Sequence, residues 1–300
     1  MQRWLPFSIG IQVTLLYIQC YSTASIHLFQ IPRLVEPQAV LSNGKNITAT
    51  KQNSSTISDR RTYTPEYVRS LFDGIAPRYD FLNHFLSSGI DVFWRKKAVG
   101  FLRDHHPQKI LDIATGTGDL AFEVSKLRPK SIIGVDIAPA MLDIARRKAN
   151  KKGLETLVSF IEAQAESLPF ATGTFDAVTV GFGVRNFSRL ESGLKEMVRV
   201  VRPGGVLVVL EFSRPRSPLM SRLYGFYSER VLPFVGGSFS NKEAYAYLPS
   251  TIQEFPDGER FGKLLERAGV QDIRIVPLTF GIVTIYYGTK SGNSKRGGRD

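Results

Sequence analysis

Residues 109–121 read Lys-Ile-Leu-Asp-Ile-Ala-Thr-Gly-Thr-Gly-Asp-Leu-Ala, and residues 132–136 read Ile-Ile-Gly-Val-Asp. The pattern indicates a buried strand, a glycine-rich turn, the start of a helix and a second strand that ends in an acid. Gly116 and Gly118 let the backbone turn sharply and approach a ligand closely, and the following helix offers free N–H groups at its start. Asp136 comes twenty residues after Gly116, where an acid can accept hydrogen bonds from two ribose hydroxyls. The stretch therefore predicts a nucleoside site.

Strands and helices alternate along the chain after this point, which predicts parallel βαβ units and a doubly wound α/β sheet. Before it, apolar residues recur at helical spacing over 64–105 and predict a helical N-terminal cap. A short turn at Thr279-Phe280-Gly281 predicts an antiparallel hairpin at the C-terminal edge of the sheet. The predicted strands are 109–113, 131–135, 157–161, 175–180, 205–211, 272–277 and 282–288, and the predicted helices are 118–127, 139–152, 188–201 and 257–268.

The alternation is interrupted by an aromatic segment at residues 213–256. A connection of this length is unusual unless it has a task of its own. We interpret it as a lid over an apolar substrate, and a packed subdomain core is the alternative. Its aromatic residues are Tyr224, Phe226, Tyr227, Phe234, Phe239, Tyr245, Tyr247 and Phe255.

Composition favours a large globular core with basic ends. The chain has 300 residues, 43% of them hydrophobic and 22% charged, and a net charge of +12. The sequence shows no recognisable nucleic-acid-binding module, which would combine a basic face with interleaved aromatic residues. We therefore expect contact with anionic lipid rather than with nucleic acid. The single cysteine, Cys20, and four scattered histidines predict neither a disulfide nor a metal site.

The first 62 residues are predicted to be a targeting sequence. Residues 1–24 are signal-like, with small residues before a cleavage point after Ala24, and residues 25–62 are transit-like. This order favours delivery to a plastid (chloroplast), and a mitochondrial presequence, with attachment to the matrix side of the inner membrane, is the alternative. The folded domain is expected over 63–290, where Thr64 followed by proline marks a helix start, and 291–300 form a basic tail.

The glycine turn alone fits two enzyme classes, because Gly116-x-Gly118-x-x-Ala121 also matches the dinucleotide fingerprint of an NAD(P)-dependent oxidoreductase. Three later stretches favour a class I methyltransferase that uses S-adenosylmethionine. Residues 162–170 follow the third strand, where a polar side chain and a backbone amide can hold an adenine. Residues 175–180 form a buried strand that leads to the site, and residues 202–212 form a Pro-Gly-Gly turn and another strand.

Further motifs resemble the ubiquinone/menaquinone biosynthesis C-methyltransferase family over residues 66–290. The resemblance implies transfer of a methyl group from S-adenosylmethionine to a ring carbon of a prenylated naphthoquinol, demethylmenaquinol or demethylphylloquinol, with a polyprenyl benzoquinol of ubiquinone biosynthesis as the alternative. The turns at 114–118 and 278–281 favour the naphthoquinol branch. The motifs are Leu71-Phe-Asp-x-Ile-Ala-Pro-x-Tyr-Asp80, Leu82-Asn83, Leu86-Ser87, Trp94-Arg-Lys96, Gly181-Phe-Gly-Val-Arg-Asn186, Leu210-Glu-Phe-Ser213, Tyr247-Leu-Pro-x-Ser250 and Leu278-Thr-x-Gly281.

The resemblance also assigns residues to the cofactor. Thr117, between Gly116 and Gly118, is expected at the amino-acid end of S-adenosylmethionine and Asp136 at its ribose. Gln164 and Ala165 are expected to flank the adenine, and Gly181 to lie beneath the methionine portion.

On the substrate side the resemblance implies Arg185 and Asn186, which we expect to orient the quinol oxygen or a water that takes its proton. Asp119 is the candidate general base, and Tyr79 is expected to cover the site. The alternatives are structural roles: Asp119 would be only an acid that favours the start of a helix, and Arg185 only a partner in an ion pair.

Because a prenyl tail is insoluble in water, we expect peripheral membrane attachment through the aromatic segment and the basic surface. A homodimer or a biosynthetic complex is a further expectation. A non-catalytic protein that binds quinone intermediates remains a rival hypothesis, against which the combined presence of Asp119, Arg185 and Asn186 counts.

Overall fold

A computed structural model describes residues 64–87, 89–218, 222 and 242–292. Its centre is one sheet of seven strands in the order β3-β2-β1-β4-β5-β7-β6. The first five strands are parallel, and β7 is antiparallel to both of its neighbours. The strands are β1 (Lys109–Ile113), β2 (Ser131–Asp136), β3 (Val158–Glu162), β4 (Phe175–Gly181), β5 (Val201–Phe212), β6 (Val270–Leu278) and β7 (Val283–Lys290).

Helices cover both faces of this sheet, and apolar clusters fill the space between the layers. The helices are α1 (Pro65–Leu86), α2 (Ile90–Gly100), α3 (Asp119–Val124), α4 (Pro139–Lys152), α5 (Leu190–Val200), α6 (Lys242–Glu254) and α7 (Glu259–Ala268). Single 3₁₀ turns follow at Arg103–His105, Ser125–Leu127, Val184–Asn186 and Thr279–Gly281. Strand order reverses between β1 and β4, and a sheet of this kind binds ligands at the carboxyl ends of the strands beside such a reversal.

The predicted α/β class, the seven strands and the antiparallel hairpin are confirmed, and the structure adds the order within the hairpin. The C-terminal strand β7 lies inside the sheet, and β6 forms the outer edge. Burial explains this order, because residues 283–288 of β7 are all buried, whereas β6 carries several exposed residues. The last strand of the chain is therefore the antiparallel one, but it is not the outermost one.

Helix α1 begins where the sequence predicts. The Thr64 hydroxyl accepts a hydrogen bond from the Tyr67 N–H at 3.2 Å and caps the helix, whose first residue is Pro65. Further along the helix, buried Ala76 packs against Ala138 and Met141 next to the carboxyl end of β2. The predicted cap therefore contacts the sheet at the edge where a ligand is expected.

Half of the aromatic segment that we interpret as a lid lies outside the described residues, as do the signal-like and transit-like segments and most of the basic tail. At the end of the segment, Phe255 is fully buried in the main core, and Tyr247 is buried against Phe72 of α1. In the described part of the chain, no helix combines the length and the apolar character needed to cross a bilayer.

Candidate active site

A cleft opens at the carboxyl edge of the sheet, beneath helix α1. It encloses about 680 Å³ of empty space, counting the part open to solvent. Most of the predicted site residues belong to its wall. The residues that line it are Pro65, Val68, Phe72, Tyr79, Ala114, Gly116, Asp136, Ile137, Met141, Ala163, Gln164, Ala165, Glu166, Gly181, Phe182, Gly183, Asn186, Phe187 and Ser188.

The glycine turn forms the floor of the cleft between β1 and α3. Gly116 and Gly118 adopt φ angles of 56° and 88°, a left-handed conformation that costs glycine little. A Cβ on Gly118 would lie 2.9 Å from the Phe122 ring, so a larger residue there would displace the core. A Cβ on Gly116 would lie 3.8 Å from the ring of Tyr79, which is therefore next to the turn.

Asp136, at the end of β2, connects the glycine turn to the next strand. Its Oδ2 accepts a hydrogen bond from the Gly116 N–H at 2.8 Å, and its Oδ1 accepts one from the Ala138 N–H at 3.0 Å. Burial raises the pKa of this carboxyl, although the backbone N–H groups around it act in the opposite direction. Each oxygen keeps a lone pair free for a ligand hydroxyl, which is the geometry expected of a ribose acceptor.

The loop after β3 forms the side wall where an adenine is predicted. Gln164 and Ala165 line the cleft, and so do the apolar residues Ile137 and Met141. Next to them, Glu166 accepts a hydrogen bond from the Ser188 hydroxyl at 2.7 Å, which joins this loop to the one after β4. A wall of apolar side chains with one amide side chain suits a flat heterocycle.

Gly181 and Gly183 bring the end of β4 close to the floor. A Cβ on Gly181 would lie 3.0 Å from Leu120, and one on Gly183 would lie 2.4 Å from the Cβ of Ala114. The close approach of these segments places Gly181 in the cleft wall, on the side predicted for the methionine portion.

Arg185 is buried behind the wall of the cleft. Its guanidinium donates to Glu211 Oε1 at 2.6 Å and to the Phe182 carbonyl at 2.5 Å, and it lies 5.3 Å from the Phe212 ring. Burial alone would lower the pKa of Arg185, but the Glu211 carboxylate raises it above its usual value. Its Nε is the single buried side-chain nitrogen or oxygen without a hydrogen-bond partner in the described part of the chain. The ion pair predicted as the alternative role is therefore present, together with an unused donor.

Asn186 and Tyr79 reach the cleft itself. The Asn186 side-chain oxygen accepts a hydrogen bond from the Tyr247 hydroxyl at 3.1 Å. Burial raises the pKa of Tyr79, against the opposing effects of a hydrogen bond with Asn83 and of the nearby cation of Arg185. Tyr79 is therefore a neutral hydroxyl close to a fixed positive charge.

Thr117 and Asp119 belong to a polar network beside the cleft, and their side chains are outside its lining. The Thr117 hydroxyl donates to Asp80 Oδ1 at 2.5 Å and accepts from Lys148 Nζ at 3.1 Å. Lys148 also binds Asp80 and Asp119, and Arg95 lies 3.5 Å from Asp119. The network ties α1 to the glycine turn. Asp119 is the first residue of α3, which matches its alternative role as an acid at a helix start. Its role as general base stays a prediction.

Sequence reasoning missed Asp112, a carboxyl buried in the middle of β1. It accepts hydrogen bonds from the hydroxyls of Thr115 at 2.7 Å and Thr179 at 2.6 Å. Burial raises its pKa to about 6, because two hydroxyl donors only partly replace the water that it has lost. An acid within an otherwise apolar strand was the available signal, since such residues are rarely buried without a purpose.

These groups fit S-adenosylmethionine. The carboxylate of Asp136 suits the ribose hydroxyls, the slot beside Gln164 suits the adenine, and glycines without side chains leave room for the methionine portion. Burial of the cleft beneath α1 would shield the reacting carbon from water.

Fold and site together define a class I methyltransferase that takes its methyl group from S-adenosylmethionine. Two solved structures support the fold alone. The chain matches a methyltransferase of Thermotoga maritima with a TM-score of 0.53 at 23% identity, covering 74% of this chain and 99% of that one. It matches the cyclase SpnF with a TM-score of 0.54 at 17% identity, covering 76% and 97%.

The chain belongs to the ubiE/COQ5 methyltransferase family, which it matches over residues 60–290. A demethylmenaquinone methyltransferase of Thermus thermophilus is 48% identical over 222 residues, which cover 73% of this chain and 100% of the relative. One of Bacteroides fragilis is 46% identical over 227 residues, covering 75% and 93%. The ubiquinone/menaquinone biosynthesis C-methyltransferase UbiE of Geobacter sulfurreducens is 46% identical over 233 residues, covering 77% and 91%. The predicted family and the predicted enzyme class, a C-methyltransferase dependent on S-adenosylmethionine, are confirmed.

Proposed function

We propose that the protein methylates a ring carbon of a prenylated naphthoquinol, a demethylmenaquinol or demethylphylloquinol. The observation that carries the proposal is the buried cation of Arg185, whose Nε has no partner, close to Tyr79 and next in the chain to Asn186, both of which line the cleft. Menaquinone occurs in the names of all three relatives above, which favours a naphthoquinol. The benzoquinol of ubiquinone biosynthesis is the second candidate, because the name of the Geobacter relative includes both quinones.

The bound cofactor would supply an activated methyl group. The protein residues then have to make the acceptor carbon nucleophilic, which requires loss of a proton from the adjacent quinol hydroxyl. Arg185 lowers the pKa of such a hydroxyl, since a nearby cation stabilises the quinolate. The raised pKa of Arg185 excludes it as the proton acceptor. Its function is electrostatic stabilisation of the charge that develops on the oxygen.

Asn186 and Tyr79 orient the quinol oxygen. Both line the cleft, and Tyr79, whose pKa is raised by burial, keeps its proton and can donate it in a hydrogen bond. Asp119, which Lys148 and Arg95 hold at the side of the site, is the candidate base and takes the quinol proton through a water in the cleft. Positioning of the two reactants supplies much of the rate enhancement.

The quinones of cells that lack this protein identify its substrate. Mass spectrometry of the lipid extract should show loss of the mature naphthoquinone and accumulation of the form that lacks one ring methyl group. Accumulation of a benzoquinone precursor instead would favour the second candidate, and an unchanged quinone pool would refute both. Expression of the Arg185→Ala variant should leave the demethylated species in place, whereas the intact protein should restore the mature quinone.

The predicted location remains part of the proposal. The targeting segments over residues 1–62 favour a plastid membrane, and a mitochondrial inner membrane is the alternative. A fusion of residues 1–62 to a fluorescent protein, observed in plant or algal cells, would separate the two destinations.

A further inference from the structure

Helix α2 and the tip of the β6–β7 hairpin expose large apolar side chains side by side. Phe93 on the first turns of α2 is 48% exposed, and Phe280 at the hairpin tip is 77% exposed. The two elements are joined by a hydrogen bond of 2.8 Å from Trp94 Nε1 to the hydroxyl of Thr279. Ile90 and Val92 extend the exposed apolar surface on the helix. These four residues, Ile90, Val92, Phe93 and Phe280, are called the apolar patch below.

Phe280 is in a conformation that neither local preference nor burial explains. Its φ angle is 56° and that of Thr279 is 47°, which is unfavourable for residues with a bulky side chain. The aromatic ring gains little from burial in return, since most of it is exposed. Strain of this kind is typical of positions that serve a function.

Cations flank the apolar patch. Lys96 and Lys97 are exposed on α2, and Lys97 Nζ lies 5.5 Å from the centre of the Phe93 ring. Arg216 approaches the hairpin tip only with its backbone, because its guanidinium nitrogen lies 2.7 Å from where a Cβ on Gly258 would be, so the two lysines are the cations of the patch. The acid of α2, Asp91, is buried and paired with Arg95 and His84, so it does not offset these charges at the surface.

The apolar patch also backs onto the wall of the cleft. Trp94 packs against Phe182 with ring centres 6.0 Å apart, and Phe182 lines the cleft. α2 starts at the carboxyl edge of the sheet, where the cleft opens, because Trp94 contacts the residues that follow β4 and end β5. Whatever the patch binds therefore lies beside the site.

We infer that the apolar patch and the flanking cations of Lys96 and Lys97 dock the enzyme on a bilayer that contains anionic lipid. Exposed aromatic side chains next to lysines are the pattern of a helix that lies in the membrane interface. The inference rests on the proposed function, because a prenylated quinol resides in the bilayer and has to reach the cleft from there. It places membrane contact on α2 and the hairpin tip, in addition to the contact predicted for the aromatic segment.

Co-sedimentation with vesicles tests the surface. The full chain should bind vesicles of phosphatidylcholine mixed with phosphatidylserine. A Phe93→Ser/Phe280→Ser variant should bind at least tenfold more weakly, since two aromatic side chains no longer enter the interface. A Lys96→Gln/Lys97→Gln variant should lose about tenfold on the anionic vesicles and nothing on phosphatidylcholine alone. Ile161→Ser is the matched control, because Ile161 is 37% exposed on the distant strand β3, and its binding should be unchanged.

Turnover of a water-soluble quinol with a short prenyl chain separates this inference from the proposed function. The patch variants should keep full turnover of that substrate while they lose vesicle binding. Vesicle binding that is unchanged in both variants, or absent in the unaltered protein, would overturn the docking surface whatever the turnover. The phenylalanine variant could instead convert a dimer to a monomer without losing vesicle binding. That result would assign the patch to contact with a second copy of the chain and overturn the inference. Absence of turnover in the unaltered protein would instead refute the proposed function and leave the vesicle result to stand.

Discussion

Replacement of Asp136 by alanine should weaken the binding of S-adenosylmethionine by at least about 100-fold. Each carboxylate oxygen already accepts one backbone N–H, at 2.8 Å from Gly116 and 3.0 Å from Ala138, and has one lone pair left for a ribose hydroxyl. A hydrogen bond to a charged group contributes roughly 1.5–3 kcal/mol, so the loss of two reduces the binding free energy by about 3 kcal/mol or more. That loss corresponds to a factor of about 100 or more in Kd.

The same substitution should change folding stability much less. It removes two hydrogen bonds to the backbone, but it also removes a carboxylate whose pKa is raised by burial. The two effects oppose each other, and we expect the free energy of unfolding to change by no more than about 2 kcal/mol. Denaturant titration followed by fluorescence would measure it, and isothermal titration calorimetry would measure the affinity.

Asp176→Ala is the matched control. Asp176 also accepts two backbone N–H groups, from Gln108 at 2.7 Å and Lys109 at 2.8 Å, but at the opposite edge of the sheet. Its loss should lower stability and leave cofactor affinity unchanged. A folded Asp136→Ala variant with a Kd within fivefold of the unaltered protein would refute the assignment of the ribose site.

Three further substitutions test the surroundings of the site. Glu211→Gln should lower the free energy of unfolding by about 3 kcal/mol, because Arg185 remains charged and buried without its partner. The double variant Arg185→Met/Glu211→Leu should recover much of this loss, and equal stability of the single and double variants in urea would contradict the prediction. The pKa of Asp112 is raised from 3.8 to about 6 in the folded state, so its contribution to stability is present below pH 3.8 and is lost as the pH rises through 6. Between pH 4 and pH 7 the stability of the protein relative to Asp112→Asn should therefore fall by roughly 2 kcal/mol, and a pH-independent difference in urea midpoints would refute the shift. Lys148→Met should raise the KM for S-adenosylmethionine about tenfold, because α1 is no longer tied to the glycine turn. Lys151→Met, at an exposed position on the same helix, is the control. Equal KM values in the two variants would exclude a role of Lys148 in holding α1 on the glycine turn.

The parts of the site predicted from sequence are those whose partners are close in the chain or follow from the alternation of strands and helices. Gly116 and Asp136 meet because consecutive parallel strands end at the same edge, and their hydrogen bond follows from that topology. Gln164 and Gly181 reach the same cleft for the same reason, since each lies at or just after the carboxyl end of a neighbouring strand.

The contacts that the sequence did not reveal join residues far apart in the chain. Arg185 pairs with Glu211, and Asp80 of α1 pairs with Lys148 of α4. No periodicity links such positions, because the pairing depends on how the helices pack on the sheet. The position of β7 inside the sheet, with β6 at the edge, likewise depends on the burial of both faces of β7. The alternation of strands and helices along the sequence does not encode this burial.

Transfer of a labelled methyl group by the purified protein would show which ring the enzyme methylates. The protein would be incubated with S-adenosylmethionine that carries a trideuteriomethyl group and with an equal mixture of a short-chain demethylnaphthoquinol and the corresponding benzoquinol, both kept reduced. We expect tandem mass spectrometry to find the label on a ring carbon of the naphthoquinol. We also expect the Arg185→Ala variant to bind the cofactor but to form little product. Label on an oxygen atom, label mainly in the benzoquinol, or full activity of the Arg185 variant would contradict these expectations.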